Sequence, residues 1–92
     1  MLKPFPTTAF RRDLRKCQKR GLPVNELREV ILALSEEKPL DARYRDHRLS
    51  GNYAAYRECH IQPDWLLIYR VEQEKLLLVL TRTGTHADLF DE

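Results

Sequence analysis

The side chains best suited to chemistry in this sequence are its three histidines. They are His47, His60 and His86, and all lie in the second half of the chain. Cleavage of RNA without a metal requires a base that takes the 2′-OH proton and an acid that protonates the departing 5′-oxygen. The unperturbed pKa of histidine, about 6.5, makes both protonation states accessible near neutral pH. The three imidazoles are therefore candidates for acid–base cleavage of a phosphodiester.

Charged and aromatic residues near the histidines supply the other functions that this reaction needs. Arg82 carries a planar guanidinium that can bridge two phosphate oxygens and stabilise the charge that develops on them. Asp64 and Glu58 can orient an imidazole or transfer a proton themselves, and Glu58 is also a candidate for binding the substrate. The aromatic faces on which unstacked bases can rest belong to Tyr56, Trp65 and Phe90. The hypothesis requires all these groups to meet in the folded chain.

These residues also have ordinary structural interpretations, which spacing alone leaves open. A single histidine in a small domain is usually a surface or hydrogen-bonded residue, Trp65 suits a core, and Asp64 beside Pro63 suits a turn. A zinc site is a second chemical alternative, although the spacing of its ligands matches no recognised zinc motif. Its ligands would be His47, His60 and His86 with Cys59 or Asp64.

Basic residues are densest in the first predicted helix, although the net charge of the whole chain is only +2. Asp13 is the one acidic residue among them. Such a surface suits contact with nucleic-acid phosphates, and a solvated helix face is the plainer alternative. The candidate contacts are Arg11, Arg12, Arg15, Lys16 and Lys19.

Two helices are predicted to precede the histidines. The first begins at Thr8, a suitable N-cap, and stops at Gly21. The second runs over about residues 24–38, between Pro23 and Pro39. Apolar residues recur at helical spacing as Phe10, Leu14 and Cys17 in the first, and Leu27, Val30, Ile31 and Leu34 in the second. The short connection between the helices predicts an antiparallel hairpin.

The rest of the chain shows the patterns of strands and loops. A polar loop is predicted at 40–52, and residues 85–92 are expected to be irregular. The short link at 72–74 predicts a hairpin and hence a largely antiparallel sheet. The strands are predicted at 2–5, 53–61, 65–71 and 75–83. The expected fold class is α+β: a small antiparallel sheet with the N-terminal helical hairpin packed on one face.

Alternation along the predicted strand at 53–61 divides its side chains between two faces. Glu58 and His60 share one face with Tyr56, while Cys59 and Ile61 share the other, where they can meet the helices. The polar face is therefore the candidate site. Arg57 breaks the pattern, because alternation sends it to the core side unless it lies at an edge or a strand end.

Length and composition predict one domain spanning residues 1–92. The longest apolar runs, at 65–69 and 76–80, are far shorter than the roughly 20 residues of a transmembrane helix, and the start of the chain lacks the apolar region of a signal peptide. A cytoplasmic location without membrane contact is expected. Cys17 and Cys59 match no metal or redox spacing and are expected to be small buried hydrophobes.

Three separated blocks of sequence contain the histidines. They read D-H-R-L-S-G from Asp46, H-I-Q-P-D-W-L-L-I-Y from His60 and R-T-G-T-H-A-D-L-F from Arg82. These blocks resemble the YafQ-type toxins of the RelE/ParE superfamily, whose fold is a small antiparallel sheet with a helical hairpin packed against it. The resemblance covers nearly the whole chain. It departs from the family where Glu58 replaces a familiar aspartate and Cys59 a small residue.

The resemblance implies a ribosome-dependent endoribonuclease that cleaves mRNA in the ribosomal A site without a metal or other cofactor. In the family-like roles, Arg82 holds the scissile phosphate, while Trp65 and Phe90 support the site. The basic first helix would contact ribosomal RNA. Acid, base and orienting work would be shared by His47, His60, Asp64 and His86.

The resemblance also implies a partner, a cognate antitoxin that is usually of the ribbon-helix-helix type. The antitoxin would neutralise the toxin, and the complex would bind operator DNA and repress its own operon. A non-catalytic toxin of ParE type, which binds and inhibits DNA gyrase, is the alternative, but a binder needs no set of histidines. A third hypothesis, an interaction domain without activity, predicts that expression without the antitoxin is harmless.

Overall fold

Two helices cover one face of a five-stranded sheet in the computed structural model, which describes residues 1–90. Three short 3₁₀ turns lie in the connections, at Ala42–Tyr44, Gly51–Tyr53 and Gln73–Lys75. The helices and strands are β1 (Lys3–Pro6), α1 (Thr8–Lys19), α2 (Val24–Ser35), β2 (His47–Arg48), β3 (Arg57–Gln62), β4 (Trp65–Glu72), β5 (Leu77–Gly84) and α3 (His86–Phe90). The predicted α+β class is confirmed.

The strands lie in the order β1-β5-β4-β3-β2. All neighbouring pairs are antiparallel except β1 and β5, which run parallel. The predicted β4–β5 hairpin is confirmed, and so is a largely antiparallel sheet. Pro4 and Pro6 lie in β1, at the edge of the sheet, where a missing N–H group breaks no ladder on the outer side. The predicted polar loop contains a short strand, β2, that sequence periodicity did not reveal.

The helix ends differ slightly from the predicted ones. The N-cap of α1 is Thr7 rather than Thr8, because the Thr7 hydroxyl accepts the hydrogen bond from the backbone N–H of Phe10. Gly21 follows the helix with a φ of 79°, as expected for a glycine stop. The second helix ends at Ser35, three residues before the predicted end, because the chain turns through a left-handed residue at Glu37.

The core lies between the helices and one face of the sheet. Cys17 and Cys59 are both buried free thiols, as predicted, and burial raises the pKa of each. Leu14 and Ile31 are only partly buried at its margin. The buried residues that the helices and the strands contribute include Phe10, Cys17, Leu27, Val30, Leu34, Cys59, Ile61, Trp65, Leu67, Tyr69, Leu78 and Leu80. Cys59 and Ile61 therefore face the helices, as alternation along β3 predicted.

Residues 85–92 were expected to be irregular, which is wrong for His86–Phe90, since they form the short helix α3. Residues 91 and 92 lie outside the part of the chain that the structure describes. Thr85 precedes this helix, and its hydroxyl accepts a hydrogen bond from the Asp88 backbone N–H while the Asp88 carboxylate accepts one from the Thr85 N–H. This reciprocal pair is a capping box. Gly84 allows the turn into the helix because its φ is 155° and a Cβ there would lie 2.9 Å from Oδ2 of Asp88. Within residues 1–90, no helix is long and apolar enough to cross a membrane.

Candidate active site

The three histidines lie in a row across the sheet, although they are far apart in sequence. His47 and His60 have ring centroids 6.2 Å apart, and His60 and His86 have centroids 5.9 Å apart. Strand pairing explains their convergence. Strand β2 places His47 opposite Glu58 on β3, and Glu58 lies two residues before His60. On the other side, His60 pairs with Leu66 on β4. Leu66 in turn pairs with Gly84 of β5, which lies just before α3 and His86. The structure therefore brings together the three predicted imidazoles.

Glu58 lies between two of these imidazoles. It is only 6% exposed, and its carboxylate oxygens are 3.5 Å from Nε2 of His47 and 3.8 Å from Nε2 of His60. The Nδ1 atoms of the two rings lie 2.6 Å from the carbonyl of Arg45 and 3.2 Å from that of Pro63. Since a carbonyl only accepts, Nδ1 is the hydrogen-bond donor in both rings. The Nε2 atoms of the two rings therefore face the same carboxylate.

Asp64 holds the third imidazole. Its Oδ1 accepts hydrogen bonds from the backbone N–H of His86 at 3.0 Å and from the imidazole Nδ1 of the same residue at 2.7 Å. The backbone N–H, and next the imidazole, hold the pKa of the Asp64 carboxyl below its ordinary value. This carboxylate fixes both the start of α3 and the orientation of the ring, which are the tasks expected of an orienting residue.

The Asp64–His86 contact makes a testable prediction about pH. Because the carboxyl pKa is lower in the folded chain than in the unfolded one, its contribution to stability is present above the unfolded pKa and is lost as pH falls through the folded pKa. The carboxyl ¹³C resonance of Asp64 should titrate at lower pH in the native chain than in the same chain unfolded in urea. In the variant His86→Ala the midpoint should rise only part of the way, because the backbone N–H remains. Equal midpoints in native and unfolded wild-type chains would contradict the contact.

Arg82 is held by a carboxylate from the helical layer. Its Nε and Nη2 donate to the two carboxylate oxygens of Asp13 on α1, at 2.6 Å and 3.1 Å. The hydrogen bond from Asp13 is the main reason that the pKa of Arg82 is raised. One edge of the guanidinium is therefore already occupied. Sequence analysis had placed Arg82 on the scissile phosphate and had treated Asp13 only as a gap in a basic surface.

The three predicted aromatic platforms do not share one environment. Tyr56 and Phe90 line a small cavity of about 140 Å³ together with Arg82, and the Phe90 ring centroid lies 6.5 Å from that of His86. Tyr53, which sequence analysis did not select, lines the same cavity and is exposed. Trp65 is instead 1% exposed, and its indole N–H donates to the hydroxyl of Thr83. A stacking role for Trp65 is therefore wrong, because β4 directs its ring into the core.

The predicted basic surface lies on the exposed side of α1. Among the described residues 1–90, the side chains of His47 and His60 bond to none of its members. Lys16 and its neighbour Arg20 pair instead with Asp88 of α3, at 3.6 Å and 2.6 Å. The arginine lowers the pKa of Asp88. The five predicted contacts are all exposed: Arg11, Arg12, Arg15, Lys16 and Lys19.

Sequence analysis missed a carboxylate that positions the loop before β2. Asp46 accepts a hydrogen bond from the buried hydroxyl of Tyr69 at 2.5 Å and another from Nε of Arg57 at 3.3 Å. Burial, followed by the Asp46 contact, raises the pKa of Tyr69. Arg57 is the first residue of β3, which explains how it escapes the core that alternation assigned to it. The one sequence feature that could have pointed to Asp46 is its position next to His47.

Among the described residues 1–90, no group of three or more His, Cys, Asp or Glu side chains could hold a metal ion. A larger cavity of about 430 Å³ opens beside His60, lined also by charged residues of α2 and of the turn before β2. His60 therefore lines the larger cavity, and Phe90, whose ring lies next to that of His86, lines the smaller one.

Comparison with known proteins places this arrangement in a family. A family model described as the bacterial toxin of type II toxin–antitoxin systems, YafQ, matches residues 2–91. The chain belongs to the YafQ family. The mRNA interferase toxin YafQ of Escherichia coli strain K12 is 42% identical over 82 residues, which cover 88% of this chain and 87% of that protein. The predicted resemblance is confirmed. The name of this YafQ relative describes an mRNA interferase, which is an endoribonuclease.

Solved structures show the same fold as this YafQ-family chain. YafQ in the E. coli DinJ–YafQ complex is 38% identical with a TM-score of 0.87, and the match covers 98% of this chain and 99% of that one. A metal-bound toxin from Helicobacter pylori is also 38% identical, with a TM-score of 0.93 and coverage of 98% and 100%. The RelE-like arrangement of sheet and helices expected from the sequence is therefore the fold of solved YafQ-family relatives.

Proposed function

We propose that this chain is an mRNA interferase, an endoribonuclease toxin that cleaves mRNA in the ribosomal A site and so inhibits translation. The observation that carries the proposal is the row of three imidazoles, spaced by 6.2 Å and 5.9 Å between ring centroids. A phosphodiester placed on this row has an imidazole on either side of it. General acid–base catalysis needs such opposed proton acceptors and donors within hydrogen-bonding reach of the reacting atoms.

The reaction follows from the chemistry of these groups. A neutral imidazole takes the proton of the 2′-OH, the 2′-oxygen bonds to the adjacent phosphorus, and the bond from phosphorus to the 5′-oxygen breaks. A protonated imidazole gives its proton to that 5′-oxygen, which leaves as a hydroxyl, and a 2′,3′-cyclic phosphate remains. His47, His60 and His86 share these proton transfers, while Asp64 holds His86 in place. Arg82 stabilises the negative charge on the phosphate oxygens.

Bases next to the cleaved bond would occupy the small cavity beside this row. Tyr56 and Phe90 supply aromatic walls, and Arg82 lines the same cavity. Stacking on aromatic rings is worth about 1–3 kcal/mol per base and tolerates any base. Glu58 contacts the catalytic imidazoles rather than the substrate in this proposal, because it is buried between them. That assignment replaces the substrate-binding role first expected of Glu58.

The exposed basic surface of α1 would bind ribosomal RNA. Its lysines and arginines lie on the side of the helix away from the core, where phosphates can reach them. Binding to the ribosome also implies that the toxin acts in the cytoplasm.

An antitoxin partner is also part of the proposal. A relative forms the E. coli DinJ–YafQ complex. By that likeness, a cognate antitoxin of ribbon-helix-helix type would neutralise this chain, and the two together would bind operator DNA and repress their operon. A gyrase-binding toxin of ParE type remains the alternative function. It is disfavoured because a protein that only binds needs no convergent imidazoles, and because the matching family model is YafQ.

Cleavage is proposed to need no metal. Residues 1–90 form no group of three or more His, Cys, Asp or Glu side chains that could hold a metal ion. The H. pylori relative solved as a metal-bound toxin makes the question worth testing. A zinc-selective chelator that leaves ribosomal magnesium in place should not change the cleavage rate. Loss of activity that added zinc restores would contradict a metal-free reaction.

The proposed function is tested by supplying one mRNA in two states. The purified chain should cut the message when it is positioned on ribosomes with an open A site, and should cut the same message much more slowly when it is free. Primer extension locates the cut ends relative to the A-site codon. Cleavage absent from both states would contradict the nuclease proposal, and equal cleavage of both would contradict its dependence on ribosomes. Inhibition of gyrase supercoiling without mRNA cleavage would favour the ParE-type alternative.

A further inference from the structure

The Asp13 carboxylate makes more contacts than an ordinary surface ion pair. It accepts hydrogen bonds from Nε and Nη2 of Arg82 at 2.6 Å and 3.1 Å, and from the backbone N–H of Thr83 at 3.1 Å. Its side chain is 13% exposed, against 38% for Arg82. A bidentate pair of this kind fixes the plane and direction of the guanidinium as well as its position. The third bond fixes the carboxylate itself to β5.

The contact leaves the other edge of the guanidinium available. Among the hydrogen bonds of residues 1–90, Nη1 of Arg82 has no partner, and the arginine lines the small cavity beside Phe90. An unheld arginine side chain has rotamer freedom that must be lost when it binds a phosphate. Asp13 removes that freedom in advance. The cost is that a negative charge lies beside the cation that has to attract the phosphate.

We propose that Asp13 is a positioning residue for the cleavage reaction, which holds the guanidinium of Arg82 by one edge so that the opposite edge meets the scissile phosphate. This rests on the proposed function, since it takes Arg82 to be the phosphate-binding group. Asp13 touches no substrate atom and acts only through Arg82. The helical layer therefore does more than close the core, because α1 also sets the geometry of a cation in the site.

The anchoring of α1 does not by itself explain this ion pair. Phe10 and Cys17 already bury the apolar side of the helix against the sheet, and the Thr7 hydroxyl bonds to the carbonyl of Thr81. An apolar or neutral residue in place of Asp13 would pack at the margin of the core equally well, without a negative charge beside the arginine. Orientation is the property that only a bidentate acceptor supplies to a guanidinium.

The first test separates the chemical step from binding. In single-turnover cleavage of ribosome-bound mRNA, Asp13→Asn should lower the maximal rate by at least about tenfold, since a misplaced group about 1 Å away can cost 10²-fold. The concentration for half-maximal rate should change by less than about threefold. Asp13→Glu, which keeps the bidentate acceptor, should recover part of the rate. The matched control is Glu72→Gln, which breaks the Arg70–Glu72 ion pair at the far end of β4 and should leave the rate unchanged.

The second test asks whether Asp13 acts through Arg82. Lysine carries a point charge with rotatable donors instead of a planar fork, so a carboxylate cannot fix its orientation in the same way. Asp13→Asn should therefore have less than about a threefold effect on the rate in an Arg82→Lys chain. In the otherwise wild-type chain, Asp13→Asn should also shift and broaden the Nε–H resonance of Arg82 in NMR spectra. An equal loss of rate in both backgrounds would overturn the proposal, as would a wild-type rate for Asp13→Asn. If the NMR change appears but the wild-type chain cuts no mRNA, the proposed nuclease function fails while the Asp13–Arg82 pairing stands.

Discussion

Replacing His86 by alanine is expected to reduce the rate of mRNA cleavage by at least about 10²-fold, within the range of roughly 10² to 10⁴ that a positioned acid or base contributes. The side chain lies at the end of the imidazole row, and its ring is oriented by Asp64. Because His86 is partly exposed at the start of α3, its removal leaves no cavity in the core. The chain should therefore fold normally and still bind its antitoxin.

Single-turnover rates on ribosome-bound mRNA measure the loss, and circular dichroism with copurification of the antitoxin measures the integrity of the variant. Ala87→Gly is a suitable neighbouring control, because Ala87 is exposed on the same short helix and contributes no proton-transfer group. It should affect the rate far less than His86→Ala. Retention of cleavage at the wild-type sites and rates by His86→Ala would remove this residue from the catalytic set.

Replacing Trp65 by alanine is expected to destabilise the fold by about 3–5 kcal/mol, the usual cost of truncating a large buried aromatic residue. The indole is 1% exposed, and its N–H donates to Thr83, whose hydroxyl in turn donates to the carbonyl of Leu66. Truncation removes both the volume and the donor. Small domains are commonly stable by about 5–15 kcal/mol, so this variant loses much of its margin. Urea unfolding followed by far-ultraviolet circular dichroism measures the change.

The variant Trp65→Phe separates packing from substrate binding. It retains most of the buried ring, so it should unfold at a urea concentration between those of wild type and Trp65→Ala. Its folded fraction should cleave mRNA at close to the wild-type rate, because a ring enclosed by the core cannot stack on a base. A large rise in the half-saturating concentration of ribosome-bound mRNA, without loss of stability, would restore Trp65 as a base-binding residue.

The main elements of this fold were predictable because their signals are local. Apolar spacing and the glycine stop placed α1, and the two apolar runs with a short link placed the β4–β5 hairpin. The two-residue strand β2 carried no such signal, since its existence depends on pairing with β3 rather than on its own residues. Helix α3 had a readable signal in the Thr85 to Asp88 capping pattern, but its five residues are too few for apolar periodicity.

The histidines of the candidate site could be selected from the sequence, but the carboxylates that hold its neighbouring residues in place could not. Motif resemblance named the histidines, and alternation along β3 correctly put Glu58 and His60 on the face away from the core. The partners of Asp13 and Asp46 were beyond sequence reasoning, because each pairs with a residue that is distant in the chain and close only in the fold. Trp65 was misassigned because an aromatic residue in a site motif looks the same whether its ring faces outward or inward.

The hydrogen bonds and ion pairs around the histidines explain why this fold can carry the proposed chemistry. Hydrogen bonds fix the chain near both ends of the imidazole row, between Tyr69 and Asp46 at one end and between Arg20 and Asp88 at the other. Rigid placement matters because a catalytic group gains from being held at its working distance before the substrate arrives. The sheet supplies spacing between the histidines, and the surrounding carboxylates supply their orientation.

The central claim is that the imidazole row moves the proton of a 2′-OH group during attack on the adjacent phosphate. The most direct measurement uses ribosome-bound mRNA in which the single nucleotide before the cut carries 2′-deoxyribose. The wild-type chain should leave this message intact at that bond, while it cuts the matched all-ribose message and leaves a 2′,3′-cyclic phosphate end. Cleavage of the deoxy-substituted bond at the normal rate would contradict the proposed mechanism.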